Sequence, residues 1–332
     1  MIFSFAVRIP FQELFDALKR ALLTLGFEPE RAQLCARLFA ETTRDGVYTH
    51  GLNRFPRFAA MIRNGSIDVR ARPELVTQHG VLERWDGRCG PGNLGAYHAM
   101  GRAITIARQH GMGCVALSNT NHWMRGGSYG WQAAEAGIIG ICWTNTLPNL
   151  PPWGAAEPLI GNNPLVIAVP RPSGHVVLDM AMSQFSYGAL AAYRKRGELL
   201  PMDGGFDAEG KLTRDAGAIE ASQRPLPIGY WKGSGLALVL DMIAAMLSGG
   251  LATHQIPMEP ERETGLSQVF LAIDPAGGNA QIADQIIASL QTDRQTDGTV
   301  RYPGERTLKI RAENLALGVP VEPAVWEELR TM

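Results

Sequence analysis

Apolar residues recur at helical spacing through the first part of the chain and predict a compact group of helices. Leucine and phenylalanine residues repeat every three or four positions from residue 11 to residue 43, and a turn at residues 26–29 divides them, which indicates a hairpin of two helices. A third helix is predicted at residues 51–63, where Pro56 is tolerable near the first turn and Asn64-Gly65 ends the helix. The opening segment is therefore expected to be helical and compact.

Beyond this segment the pattern alternates between strands and helices. Short apolar runs predict strands at 74–77, 81–85, 114–118, 138–144, 165–169, 176–180 and 269–273. Helical spacing predicts helices at 93–110, 128–135, 184–196, 234–247 and 281–290, and polar composition predicts long loops at 200–222 and 254–264. The chain is thus expected to be of the α/β (α+β) class.

Two further features describe the predicted sheet. The link at residues 170–174 is long enough for an antiparallel hairpin between its flanking strands but too short for a parallel crossover, so the sheet is expected to be largely antiparallel or mixed. No G-x-G-x-x-G sequence follows a strand and opens a helix, so the fingerprint of the doubly wound dinucleotide-binding fold is missing. A nicotinamide cofactor, if bound, would need a non-Rossmann site.

Composition and charge favour small-molecule chemistry. The 332 residues include 31 Lys+Arg and 32 Asp+Glu, and this balance argues against nucleic acid or an anionic membrane surface as a partner. The four cysteines lack metal or disulfide spacing and are expected to be reduced, and the histidines show no metal-site spacing. With no basic region or cleavage site at the N-terminus, and with Asp241 interrupting the longest apolar run, no membrane span is predicted and a cytoplasmic location is expected.

His50 and Arg54 are the first candidates for chemistry. If a helix begins at this point, the two side chains share one face, where an imidazole can protonate an alkoxide and a guanidinium can pair with a carboxylate. This pair suits an α-keto acid. The alternative is that Thr49 caps the helix and that both side chains are solvated surface residues.

Three more segments could contribute to a site. His122 lies in a polar, glycine-containing segment that leaves a strand, Asp179 ends an apolar strand, and Lys232 lies in a glycine-rich stretch that opens a helix and could receive a phosphate. Each has a structural alternative: an ordinary turn capped by Ser128, a cap of the next helix, and a turn capped by Ser234.

Taken together, several motifs resemble one family, the malate/L-lactate dehydrogenase-like oxidoreductases. The resemblance runs from about Val7 to the C-terminus and is carried by GVYTHGLNRFPRF at 46–58, NHWMRGGSYGWQAAE at 121–135, GICWTN at 140–145, PPWGA at 151–155, DGGFD at 203–207 and GYWKGSG at 229–235. It implies a homodimer in which a helical N-terminal subdomain, residues 1–70, packs with residues from about 305 to 332 and against a non-Rossmann NAD-binding sheet domain, residues 71–304. It also implies reduction of 2,3-diketo-L-gulonate to 3-dehydro-L-gulonate with NADH, NADPH being the other possible cofactor.

The resemblance also assigns roles to residues. His50 takes the family's proton-donor position, with Arg54, His122 and Asp179 as further catalytic candidates. The cofactor-binding positions are His175, Val176, Val177, Leu178, Asp179, Met180, Ala181, Trp231, Lys232, Gly304, Glu305 and Arg306. Thr49 stands where the family usually has serine. The alternatives are a reductase of another α-keto acid or of a cyclic imino acid, and a catalytically silent ligand-binding dimer.

Overall fold

The computed structural model describes residues 7–278, 281–290 and 300–332. Its helices are α1 (Phe11–Thr24), α2 (Pro29–Arg44), α3 (Phe55–Arg63), α4 (Gly92–His110), α5 (Gly127–Glu135), α6 (Tyr187–Arg196), α7 (Ala216–Ser222), α8 (Trp231–Ser248), α9 (Gln281–Leu290), α10 (Glu305–Leu317) and α11 (Pro323–Arg330). Its strands are β1 (Val7–Ile9), β2 (Glu74–His79), β3 (Leu82–Asp86), β4 (Met112–Asn121), β5 (Ile139–Thr144), β6 (Leu165–Val169), β7 (Val176–Met180), β8 (Gly205–Phe206), β9 (Leu212–Thr213), β10 (Thr264–Ile273) and β11 (Val319–Val321).

Seven strands form one mixed sheet in the order β2-β3-β4-β10-β5-β6-β7. The β3–β4 pair is parallel, and the other five pairs are antiparallel. The hairpin of β6 and β7 places Val166 opposite Asp179, as the short link between these strands requires. The expectation of a mixed sheet in an α/β chain is confirmed.

Helices cover both faces of this sheet. Successive residues of β10 point to opposite sides: Phe270 joins the core beneath α4 and α5, whereas Val269 joins the core beneath α8. A strand that is buried on both faces carries no polar alternation, and residues 269–273 of β10 accordingly form a continuous apolar run. The first half of β10 includes the buried polar residues Ser267 and Gln268, so the apolar run predicted only the second half of the strand.

The N-terminal helices share a core with the C-terminus. Strand β1 pairs antiparallel with β11, and Leu14 of α1 and Phe39 of α2 lie in the same apolar cluster as Trp326 of α11. The helical hairpin predicted for the opening segment is confirmed by α1 and α2. The division into domains at residues 70 and 304 stays a prediction.

Three differences from the predicted elements change the local structure described above. The third helix is not continuous from residue 51, because a separate 3-10 turn, Leu52–Arg54, precedes α3. The predicted loop at 200–222 contains α7, whose N-cap Asp215 accepts hydrogen bonds from the Gly217 and Ala218 N–H groups. Helix α8 begins three residues earlier than predicted, so Lys232 lies in its first turn and Ser234 is not the cap.

Candidate active site

The His50 segment is held against α2 by a close backbone approach. His50 ends a 3-10 turn that follows α2, and Gly51 comes next. A Cβ atom on Gly51 would lie 2.4 Å from the Thr43 hydroxyl oxygen, which itself accepts the Leu52 N–H. The lack of a side chain at residue 51 therefore lets the chain turn here and present His50.

His50 and His122 form a stacked pair of imidazoles. Their ring centroids are 5.8 Å apart with an angle of 22° between the ring planes. The Met124 N–H donates to Nδ1 of His122 at 3.0 Å, and the Thr49 hydroxyl lies 3.0 Å from Nδ1 of His50. Because its Nδ1 is an acceptor, neutral His122 carries its proton on Nε2, and the same tautomer of His50 follows if the Thr49 hydroxyl donates.

Both imidazoles are neutral near pH 7 in this state. Desolvation, reinforced by the charges of Arg54 and Arg125, lowers the pKa of His50 to about 4. The pKa of His122 is held well below its usual range by desolvation and by Arg54. A proton donor at His50 therefore needs a neighbouring negative charge, which the sequence alone did not indicate.

Arg54 lies beside a second arginine and a buried glutamate. Nη2 of Arg54 and Nη2 of Arg57 are 3.7 Å and 3.8 Å from Oε2 of Glu263, which is 4% exposed. Desolvation and the charge of Arg57 lower the pKa of Arg54 to about 10, so Arg54 stays charged at neutral pH. Sequence reasoning missed Glu263, because no local pattern links residues separated by two hundred positions. Arg57 lies within the motif at 46–58 but was given no role.

Asp179 binds the start of α5 rather than an imidazole. Its Oδ2 accepts the Gly127 N–H at 2.8 Å, so it caps a helix other than the next one along the chain. Although the residue is exposed, desolvation of its carboxylate raises the pKa of Asp179 above its usual range, and the charge of Arg125 acts in the opposite direction. The carboxylate of Asp179 is thus bonded to the backbone at the start of α5 rather than to an imidazole.

Arg125 connects Asp179 with a buried ion-pair cluster. Asp45, 3% exposed, accepts hydrogen bonds from Arg125 at 2.7 Å and from Arg311 at 2.7 Å and 2.8 Å. Among the described residues the buried Nε atom of Arg125 has no hydrogen-bond partner, and a Cβ on Gly127 would lie 3.3 Å from it. Sequence reasoning missed this cluster too.

The predicted cofactor positions lie along strand β7 and in the segments beside its two ends. Strand β7 is the last strand of the sheet in the described part of the chain, and it carries Val176 to Met180. At its start the Val177 N–H donates to the Pro303 carbonyl, and a Cβ on Gly304 would lie 3.2 Å from the His175 carbonyl oxygen. Beyond its end the Ile228 N–H donates to the Met182 carbonyl, which brings the Trp231 segment alongside.

Exposed groups that could contact a dinucleotide lie beside the two ends of β7. Trp231 is 66% exposed, Lys232 is exposed, and Gly304 adopts a positive φ of 97° that favours glycine. An aromatic face, an ammonium group, an edge strand and a close glycine backbone suit the rings and phosphates of a dinucleotide. The residues present fit a nicotinamide nucleotide.

The fold and these groups are those of a dehydrogenase, and comparison with known proteins agrees. Residues 9–330 match the family model of malate/L-lactate dehydrogenase, so the chain belongs to the malate/L-lactate dehydrogenase family and is an oxidoreductase. Membership implies a nicotinamide nucleotide as cofactor.

Individual relatives cover nearly the whole chain. A protein of Citrobacter koseri named 2,3-diketo-L-gulonate reductase is 48% identical, over 98% of this chain and 100% of the relative. The Δ1-piperideine-2-carboxylate reductase structure of Pseudomonas syringae matches with a TM-score of 0.88 and 28% identity, over 98% of this chain and 99% of that chain. The malate dehydrogenase structure of Pyrococcus horikoshii matches with a TM-score of 0.89 and 26% identity, over 100% and 96%.

Proposed function

We propose that this protein reduces 2,3-diketo-L-gulonate to 3-dehydro-L-gulonate with NADH. The main support is the stacked pair of His50 and His122 beside Arg54, since this pair combines groups that can transfer a proton with a guanidinium that can bind a carboxylate. The substrate is suggested by the relatives named 2,3-diketo-L-gulonate reductase, which are 46–48% identical over 98% of the chain. The physiological setting that fits this activity is sugar-acid catabolism in the cytoplasm.

In this proposal, binding of the substrate raises the pKa of His50, so that its imidazole can act as the proton donor. Arg54 binds the substrate carboxylate, which cancels part of the positive charge that acts with desolvation to lower the pKa of His50. The pKa of His50 then rises toward neutral pH, and the imidazole can protonate the oxygen of the carbonyl that is reduced. His122 donates from Nε2 to polarise a carbonyl oxygen, because its Nδ1 is already occupied by the Met124 N–H.

The cofactor is held along β7 in this proposal. The binding residues are those of 175–181, Trp231 and Lys232 beside the end of the strand, and Gly304, Glu305 and Arg306 at its start. The nicotinamide supplies the hydride that the carbonyl carbon receives. Asp179 lies within this set, where a ribose hydroxyl could be its partner. The preference for NADH over NADPH and the non-Rossmann mode of binding belong to the proposal.

A homodimer is also proposed, and α8 supplies the reason. The helix leaves a row of apolar side chains exposed: Leu236, Leu238, Val239, Met242, Ile243 and Met246. By length and composition α8 could cross a membrane, but helices of soluble proteins meet the same criterion. Asp241 within it accepts the Thr253 N–H and the Asn145 amide, which ties the helix to its own protein. A second copy covering the row would explain it.

The test is oxidation of NADH and NADPH followed by absorbance with several acceptors. Turnover is expected with 2,3-diketo-L-gulonate, and His50→Asn should reduce kcat roughly 10²–10⁴-fold with little change in NADH affinity. Turnover only with pyruvate, oxaloacetate or piperideine-2-carboxylate would change the assigned substrate but would leave the proposed mechanism unaffected. No turnover with any acceptor would favour the alternative of a catalytically silent ligand-binding dimer. Full activity of His50→Asn would contradict the proton-donor role of His50.

A further inference from the structure

The cluster of Arg54, Arg57 and Glu263 joins three separate parts of the chain. Arg54 ends the 3-10 turn before α3, Arg57 lies in the first turn of α3, and Glu263 immediately precedes β10. The Arg57 guanidinium also donates to the Pro260 carbonyl, and Oε1 of Glu263 accepts the Leu147 N–H at 3.4 Å. The carboxylate is therefore fixed on one side by the connection after β5 and on the other by α3.

The ion pairs in this cluster are loose. The distances from Oε2 of Glu263 to the two guanidinium nitrogens, 3.7 Å and 3.8 Å, exceed hydrogen-bond length. In the described part of the chain Oε2 has no hydrogen-bond donor within reach, so the donors of Arg54 are not consumed by Glu263. The glutamate thus contributes its charge without occupying the arginine that is assigned to the substrate.

The charge of Glu263 sets the net charge of the site that receives the substrate. Two guanidinium groups and one carboxylate leave one net positive charge next to neutral His50 and His122. A substrate with one carboxylate neutralises this charge, whereas a substrate with two leaves an unpaired negative charge beside buried Glu263. Burial makes such an unpaired charge costly.

We infer that Glu263 is a specificity-determining residue that restricts the site to keto acids with a single anionic group and disfavours dicarboxylic keto acids. The inference rests on the proposed function only in placing the substrate carboxylate at Arg54. It agrees with 2,3-diketo-L-gulonate as substrate, because that acid carries one carboxylate and its remaining groups are neutral carbonyls and hydroxyls.

The test compares two flat, nearly isosteric ligands that differ in charge, oxamate with one negative charge and oxalate with two. Their dissociation constants are measured by calorimetry on the NADH-loaded protein, for the wild type and for Glu263→Gln. The variant adds one net positive charge, so oxalate binding should strengthen about tenfold relative to oxamate binding, a conservative value for one unit charge a few Å away at an effective dielectric constant of about 20.

Two further variants serve as controls. Glu261 lies two residues away and also acts on Arg57, but it is exposed, so Glu261→Gln should change the ratio less than about twofold. Arg57→Gln removes a positive charge and should move the ratio the opposite way, toward oxamate. If Glu263→Gln does not fold, Arg57→Gln provides the test of the inference.

An unchanged ratio in folded Glu263→Gln overturns the inference, as does an equal shift in Glu261→Gln. If Glu263→Gln cannot be purified folded, an unchanged ratio in Arg57→Gln, or one that shifts toward oxalate, overturns it. Failure of the proposed function looks different, since the wild type would then bind oxamate normally while leaving 2,3-diketo-L-gulonate unreduced.

Discussion

Replacing Asp45 with asparagine should destabilise the protein by about 3 kcal/mol, the lower end of the cost of breaking a buried ion pair. Asp45 is 3% exposed and accepts hydrogen bonds from Arg44, Arg125 and Arg311. Asparagine keeps the shape but removes the charge, which leaves Arg125 and Arg311 without their counter-ion. Arg125 has a side chain that is only 5% exposed, so water cannot replace the lost carboxylate.

The magnitude can also be worked from the pKa of Asp45. Although burial opposes it, hydrogen bonding by Arg311 and the charges of Arg125 and Arg44 lower this pKa from 3.8 to about 2. A shift of this size corresponds to about 2 kcal/mol of folding free energy. Because the folded-state pKa is depressed, the contribution is complete above the unfolded-state value of 3.8 and is lost as the pH falls through about 2.

Urea unfolding followed by circular dichroism measures both effects. The difference between wild type and Asp45→Asn should be full at pH 7 and reduced by roughly half near pH 3. The matched control is Asp203→Asn, an exposed aspartate, which should change stability by less than about 0.5 kcal/mol. A loss below about 1 kcal/mol at pH 7, or a difference that does not vary between pH 7 and pH 3, would refute the reasoning.

Two other pairs of substitutions test local geometry. Thr49→Val removes the hydroxyl beside Nδ1 of His50 and should lower kcat/KM about tenfold without changing the unfolding midpoint, whereas Thr49→Ser should retain activity; equal kinetics of both variants would count against a role for the hydroxyl. Gly92→Ala places a Cβ 2.1 Å from the Asn121 carbonyl oxygen and should cost at least about 2 kcal/mol in urea unfolding. The control Gly235→Ala, at an exposed helical position where no atom of the described residues comes within 4 Å of the added Cβ, should stabilise by up to about 1 kcal/mol. A change of the same sign in both variants would contradict the close approach.

The sequence predicted best those elements whose signals are local. Strands β6 and β7 and helix α9 have the predicted bounds, because an apolar run is bordered on each side by turn residues or by a change in periodicity. Helix α7 had a local signal as well, the cap Asp215, which the polar composition around it concealed.

The predictions at Gly233 and Gly51 were wrong because these glycines permit a close approach to a neighbouring segment, which the sequence did not predict. Gly233 was interpreted as part of a loop, yet it lies in the first turn of α8, where a Cβ would be 2.3 Å from the Ile228 carbonyl oxygen. Gly51 was expected inside a helix and instead separates two 3-10 turns against Thr43. Which of these uses a glycine serves depends on a neighbour that composition does not reveal.

Within the site, sequence patterns singled out His50, His122 and Arg54, but not the burial and the neighbouring charges that set the pKa values of the two imidazoles. Desolvation lowers the pKa of both His50 and His122, the charge of Arg54 lowers both further, and the charge of Arg125 adds to the effect on His50. These groups come from distant segments, so their combined field exists only in the folded chain. With no anion bound, this field opposes protonation of His50, and an anionic ligand at Arg54 weakens the opposition. In the proposed mechanism the carboxylate of the substrate would therefore have two roles, orientation through Arg54 and restoration of the proton donor, and a neutral ketone of the same shape would provide neither.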